Sequence, residues 1–250
     1  MDCVLLGSGG WFPTSRRETC CALLREGSQV LVIDAGTGIQ RLIEEPDLLA
    51  GAERVDIVLT HFHLDHVVGL SYLPALPLAE APTIWGPGEL LTGVPTLTIL
   101  ERLLAPPLFS APLNTIANAV REVPSSEFEI TPFNLTTRVQ ERHAEPTLAL
   151  RIGDVLTYCT DTAPDPDNVA FAAGSRVLLH EAWYARETSD DGNHSAGGDA
   201  GRIARDARVT QLVLIHVNPL QAEDESLAAS AARTFPNVTV GRDLAVIPLP

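Results

Sequence analysis

Three imidazoles and a carboxylate fall within the six positions His61-Phe62-His63-Leu64-Asp65-His66, directly after Thr60 and the apolar stretch Val55-Asp56-Ile57-Val58-Leu59. A divalent cation needs several converging nitrogen and oxygen donors, and a loop this dense in ligand side chains at the end of a buried strand supplies them. If the chain stays extended through Phe62, His61 and His63 share a side and can grip one ion. Asp65 and His66 come at a spacing that fits a turn into the apolar segment Val67–Leu78, so they point at a neighbouring position. The run therefore reads as half of a two-metal site.

The elements that position such a site are legible as alternating apolar runs and turns. Strands are expected at Cys3–Leu6, Cys20–Arg25, Val30–Asp34, Val55–Leu59 and Thr83–Trp85, with an amphipathic helix after Gly38 on Ile39, Leu42 and Ile43. A helix is expected near Glu89–Leu104, followed by an irregular proline-rich stretch, 105–113. The second half predicts strands at Leu148–Ile152, Val155–Cys159, Val177–Leu179 and Leu212–Ile215, helices near Ala200–Ala207 and Glu223–Arg233, and two short strands at the end. Four apolar runs end in candidate ligands: Val58-Leu59-Thr60-His61, Tyr158-Cys159-Thr160-Asp161, Leu179-His180-Glu181 and Leu214-Ile215-His216. Polar donors at the ends of buried strands are how an α/β protein assembles one site along a sheet edge. His143, Asp161 and His216 are the best candidates to complete the site begun at His61.

Composition narrows the function classes. The 250 residues, 45% hydrophobic, suit a single large α/β domain spanning 1–250. No apolar stretch reaches the ~20 residues that cross a bilayer, and the N-terminus lacks the basic region of a signal peptide, so a cytoplasmic protein without a membrane partner is expected. Cys3, Cys20, Cys21 and Cys159 form no CxxC pair and read as buried thiols. With 17 basic and 32 acidic residues, the net charge is −15, and every basic side chain is arginine. That balance opposes a large polyanionic partner. The arginines at 202, 205 and 208 read as a solvated helix face, and Arg16-Arg17 is the other local concentration.

The motif set resembles the metallo-β-lactamase superfamily over most of the chain, from Gly7-Ser8-Gly9-Gly10 to the last strands. The resemblance implies an αββα sandwich, two mixed sheets with helices on the outer faces. It also implies that His61, His63 and His143 hold one metal, that Asp65, His66 and His216 hold the other, and that Asp161 bridges them. Asp161 in that place argues against a true β-lactamase. Within the superfamily the chain looks most like the ribonuclease Z branch: Asp34-Ala35-Gly36-Thr37-Gly38 is similar to its aspartate-glycine turn, His180-Glu181-Ala182-Trp183 to its HEAT motif and His194-Ser195-Ala196 to its HST motif. His194 would then meet the scissile phosphate, and Glu181 would steer it or a metal-bound histidine. The departures are Thr160 before the aspartate, Trp183 where the branch has threonine, and the short 144–160 interval, which leaves no room for the branch's tRNA-gripping arm.

A binuclear metal-dependent hydrolase is therefore expected. Two divalent ions, with zinc the default for this donor set and manganese or iron able to replace it, would lie ~3.5–4 Å apart and could share a water whose pKa falls toward neutrality. A metal-bridging hydroxide would attack a phosphodiester, with Asp65 orienting or deprotonating it and His194 stabilising the phosphate oxygen or protonating the leaving alkoxide. The substrate is an RNA 3′ end or a small cyclic nucleotide. Lactone or thioester hydrolysis and an inactive metal-binding scaffold are the readings from other classes. A homodimer is expected by analogy, with Leu103–Leu113 as the contact.

Overall fold

Strand β1 (Asp2–Gly7) opens a meander with β2 (Cys21–Glu26) and β3 (Gln29–Ile33), after which the chain crosses through the one-turn helix α1 (Arg41–Glu44) to β4 (Arg54–Val58). Helix α2 (Leu64–Val67), β5 (Thr83–Gly86), α3 (Gly88–Thr92), α4 (Thr96–Leu103) and β6 (Ala119–Glu122) complete the first half. The second half runs β7 (Phe128–Ile130), β8 (Phe133–Gln140), β9 (Thr147–Ile152), β10 (Leu156–Cys159), α5 (Asp167–Ala172) and β11 (Val177–Glu181). It ends with α6 (Gly197–Ala207), β12 (Gln211–Ile215), α7 (Asp224–Ala232), β13 (Val238–Val240) and β14 (Val246–Pro248). This computed structural model describes residues 1–125, 127–220 and 223–249.

The strands form two seven-stranded mixed sheets, ordered β14-β1-β2-β3-β4-β5-β6 and β13-β12-β11-β10-β9-β8-β7. In each, one run is parallel, β3 to β6 and β10 to β13, and the rest antiparallel. Side-chain alternation sorts the core into layers. Leu31, Ile33 and Val58 of the first sheet meet Leu150, Tyr158, Leu179 and Val213 of the second. On the opposite face of the first sheet, Val30, Val32, Val55 and Ile57 pack on Ile39, Leu42, Leu70 and Leu100. On the outer face of the second, Leu178, Leu212 and Leu214 pack on Ala200, Ile203 and Ala204 of α6 and Leu227 of α7. The result is the αββα sandwich expected. No helix among the described residues is long and apolar enough to cross a membrane.

The expected helix over 89–104 is two helices. Gly93 caps α3 in the left-handed conformation at φ 70° and Pro95 precedes α4, so the intervening residues cannot stay helical. Strands β6, β7 and β8 were not anticipated. The segment after Gly38 forms a 3-10 turn at Thr37–Gln40, the single turn α1 and another 3-10 turn at Pro46–Leu49 in place of one longer helix. Ile43 faces solvent while Ile39 and Leu42 are buried.

Every parallel run ends at the same edge of the sandwich. A backbone hydrogen bond from Leu148 N to Thr60 O, 3.0 Å, ties the two sheets together there. Among the described residues, four of the six non-glycine residues with left-handed backbone lie at this edge: Trp11, Asp34, Asp161 and His216. Such conformations cost free energy and concentrate where geometry is functional.

Candidate metal centre

The loop after β4 continues extended to His63, at φ −63° and ψ 148°, and then turns into α2, whose first residues are Leu64 and Asp65. His61 and His63 therefore precede the turn and Asp65 and His66 sit within it, as the spacing suggested. Their rings gather with that of His143: the His61–His63 centroids are 4.6 Å apart and His63–His143 5.2 Å. Donor atoms of His61, His63, His143 and Asp161 all lie within 4.8 Å of one another. A second group forms around the same aspartate. Asp161 Oδ2 is 3.1 Å from His66 Nε2, Asp161 Oδ1 is 3.3 Å from His216 Nε2, and Asp65 Oδ2 is 3.4 Å from His216 Nε2 and 3.6 Å from His66 Nε2. Of the seven histidines in the chain, only His180 stands apart from this site. It shares the face of Leu178 on β11, toward the outer core, and Glu181 reaches the site instead.

His61, His66 and His143 are each oriented through Nδ1, which leaves Nε2 as the free donor. Asp34 receives the hydroxyl of Thr60, at 2.9 Å, and the Nδ1–H of His66, at 2.8 Å. With its hydroxyl proton spent on Asp34, Thr60 Oγ1 accepts from His61 Nδ1 at 3.0 Å. His143 Nδ1 donates to the carbonyl of Asn193 at 2.9 Å. His61 Nε2 and His66 Nε2 are buried without an aligned hydrogen bond, a costly arrangement unless a cation takes the lone pair. Burial, reinforced by the neighbouring His66, pushes His61 well toward its neutral form, and burial does the same at His63. Neutral imidazole is the ligating form. Burial also opposes charge on His66, but Asp161, Asp34 and Asp65 outweigh it and favour a positive charge in the second group. The chemistry of this donor set suits divalent cations: His61, His63 and His143 gather on one side of the Asp161 carboxylate, and Asp65, His66 and His216 on the other.

Two supports escaped the reading of the sequence. Asp34 appeared there only as part of a turn, yet it braces two of the clustered histidines, His66 directly and His61 through Thr60, with Tyr158 OH donating to it at 3.3 Å from the other sheet. Replacing Asp34 with Asn, which tolerates its φ of 60°, is expected to weaken metal binding by about 10–100-fold in a competitive chelator titration. Unchanged affinity would remove Asp34 from the support of the centre. Cys20, read as one more buried thiol, places its sulfur with His66 and His216, all three offering atoms within 4.8 Å of one another. Burial pushes its pKa far up, so it stands there as a neutral thiol.

His194 lies at the rim, its ring 4.9 Å from that of His143 and 5.5 Å from that of His216. Its Nδ1 is 3.1 Å from Glu181 Oε2, and Glu181, wholly buried, also accepts the backbone N–H of Thr162. Burial alone would disfavour the imidazolium, but Glu181 reverses this and holds the His194 pKa up at about 9. Trp183 lies flat on His194, with centroids 4.4 Å apart and planes 13° from parallel. Arg16, Arg17, Arg202, Arg205 and Arg208 do not line the pocket over the centre. Arg17 is buried in an ion pair with Asp224, Arg202 pairs with Asp199, and Arg205 pairs with Asp206.

Residues 29–217 match the Beta-lactamase superfamily domain. The chain belongs to that superfamily. Among curated proteins it is similar to ribonuclease Z of Clostridium acetobutylicum, 27% identical over 300 residues covering 97% of this chain and 96% of that one. It is likewise similar to ribonuclease Z of Methanopyrus kandleri, 29% identical over 273 residues covering 95% and 94%. An alignment of 300 positions for a 250-residue chain means that the clostridial relative carries segments this chain lacks. Among solved structures, the metallo-beta-lactamase fold protein YhfI from Bacillus subtilis superposes with a TM-score of 0.80 at 20% identity, covering 98% of both chains. Human tRNase Z, short form, superposes with a TM-score of 0.69 at 21% identity, covering 100% of both. Those two likenesses are of fold. Superfamily membership and the His/Asp clusters together make this a divalent metal centre.

Proposed function

We propose that the chain is a binuclear metal-dependent phosphodiesterase of the ribonuclease Z type, a single cytoplasmic domain cleaving at the unpaired 3′ end of an RNA, with zinc as its metal. The observation that carries this is the pairing of two donor groups through one carboxylate, Asp161, with an acid, His194, held beside them by buried Glu181. Curated relatives named ribonuclease Z that match nearly the whole chain support the same class. Bound metals would supply a water of lowered pKa and a clamp on the oxygens at phosphorus. Asp65 holds its place by accepting the Trp11 N–H at 2.6 Å and is positioned to orient the attacking water or take its proton. His194, with Nδ1 committed to Glu181, has Nε2 left to stabilise the phosphate oxygen or to protonate the leaving alkoxide.

A small cyclic nucleotide is the second reading, favoured by the pocket over the centre, about 330 Å³, which no arginine lines. The homodimer contact expected at Leu103–Leu113 would have to centre on Leu108, 74% exposed, because Leu104 and Leu113 are spent in the core. Metal-reconstituted protein should hydrolyse a chromogenic phosphodiester and a precursor tRNA or cyclic AMP, and elemental analysis should give two metals per chain. Activity on a lactone alone would overturn the phosphodiesterase reading.

A further inference from the structure

Trp11 is out of place by ordinary rules. It is 60% exposed, and its backbone is left-handed at φ 65°, a conformation that costs a bulky residue free energy which glycine would avoid. The backbone around it is nevertheless tightly fixed. Gly10 N donates to Val217 O at 3.1 Å, Trp11 N donates to Asp65 Oδ2 at 2.6 Å, and Phe12 N donates back to Gly10 O at 2.9 Å. A Cβ on Gly10 would fall 2.4 Å from the His216 ring, so the turn is wedged against one ligand histidine while it bonds a ligand aspartate. Phe12 meets the indole edge-on, with centroids 5.0 Å apart and planes at 66°. The backbone thus sets where the indole starts, and the exposed ring, with Phe12 at its side, lines the wall of the metal pocket. Across the lining of that pocket are Trp183 and His194, but no arginine.

We infer that Trp11 is a base-stacking, specificity-determining residue, and that the substrate presents an unpaired nucleobase next to the scissile phosphate. This rests on the phosphodiesterase reading above. Bound cations together with His194 would account for the phosphate. Beyond them the pocket offers no positive charge, and a chain of net charge −15 gains little from counterion release along a nucleic-acid backbone. Affinity for the remainder of a nucleotide must therefore come from uncharged contact. An exposed aromatic face on the pocket wall supplies it, because every base has a π-surface and stacking tolerates any sequence. A base held inside a duplex has no free face to offer, so the same geometry selects a single-stranded end or a free nucleotide over a helical stem.

The test compares two ligands that differ only by the base. Calorimetry on the metal-loaded protein should find adenosine 5′-monophosphate bound about 5- to 150-fold more tightly than ribose 5-phosphate. Trp11→Ala should shrink that ratio to within about threefold, and Trp11→Phe should restore most of it. A wild-type ratio near one, or a ratio that survives in Trp11→Ala, overturns the assignment. Cyclic AMP and single-stranded oligoadenylate, titrated side by side into both proteins, identify the natural source of the base; the Trp11→Ala loss is expected with whichever binds more tightly. Hydrolysis of bis(p-nitrophenyl) phosphate is scored separately. Its absence would defeat the phosphodiesterase reading while the calorimetric ratio still decided the role of Trp11.

Discussion

Replacing Asp161 with Asn is expected to reduce the metal content from two ions per chain to one or none and to lower phosphodiester hydrolysis by about 10²–10⁴-fold. One carboxylate serves both donor groups, with Oδ2 at 3.1 Å from His66 Nε2 and Oδ1 at 3.3 Å from His216 Nε2 and 3.7 Å from His143 Nε2. Asparagine keeps the shape but loses the charge and one acceptor. Charge stabilisation by bound metal contributes several kcal/mol at the transition state, and each ~1.4 kcal/mol is a factor of ten in rate. Asparagine is also the substitution that the backbone accepts, since residue 161 has φ 47° and Asn tolerates left-handed geometry better than Ala. A loss of metal in Asp161→Asn therefore reports the ligand and not a collapsed loop. Elemental analysis with circular dichroism on the same sample checks it. Two ions retained at unchanged affinity would remove Asp161 from the bridging position.

The ligand loop was legible because its signal is local. Four donors in six positions after an apolar run survive any detail of tertiary structure, and the turn at Leu64 follows from the change in spacing alone. The strands that end at the site were legible for a related reason: β4, β10, β11 and β12 are buried on both faces, so they read as continuous apolar runs. Strand β8 is different. Among Phe133–Gln140 only Phe133, Leu135 and Val139 are apolar, Asn, Thr, Arg and Gln fill the other positions, and the alternation of burial breaks at Val139; β6 and β7 are too short to show a period. The supports of the centre were illegible on other grounds. Asp34 meets Thr60 and His66 about one crossover later and Tyr158 more than 100 residues later, contacts that only the stacked sheets bring about. Trp11 carried no motif at all; its importance comes from a backbone bond to Asp65, which no side-chain pattern encodes.

His194→Ala separates the acid from the ligands. The ring lies near both donor groups, and Asp161, His194 and His216 offer atoms within 4.8 Å, so proximity alone does not decide its part. Its partners do. Nδ1 faces the buried Glu181 carboxylate, and Trp183 covers one face of the ring, an environment that holds a protonated imidazole in a set orientation. The pKa of about 9 leaves that proton in place near neutral pH, and two dications beside it would draw the value down toward the operating range of a general acid. His194→Ala is therefore expected to keep both metals and to lose about 10²–10⁴ in turnover on a substrate with a nucleoside leaving group. On a p-nitrophenyl ester, whose leaving group departs without a proton, the loss should be far smaller. An equal loss on both substrates would assign His194 to the phosphate oxygen and not to the leaving alkoxide, because stabilising the phosphate is indifferent to what departs. Loss of a metal in the variant would instead place His194 among the ligands and leave Glu181 as the second carboxylate orienting a metal-bound ring, the role that Asp34 already has at His66.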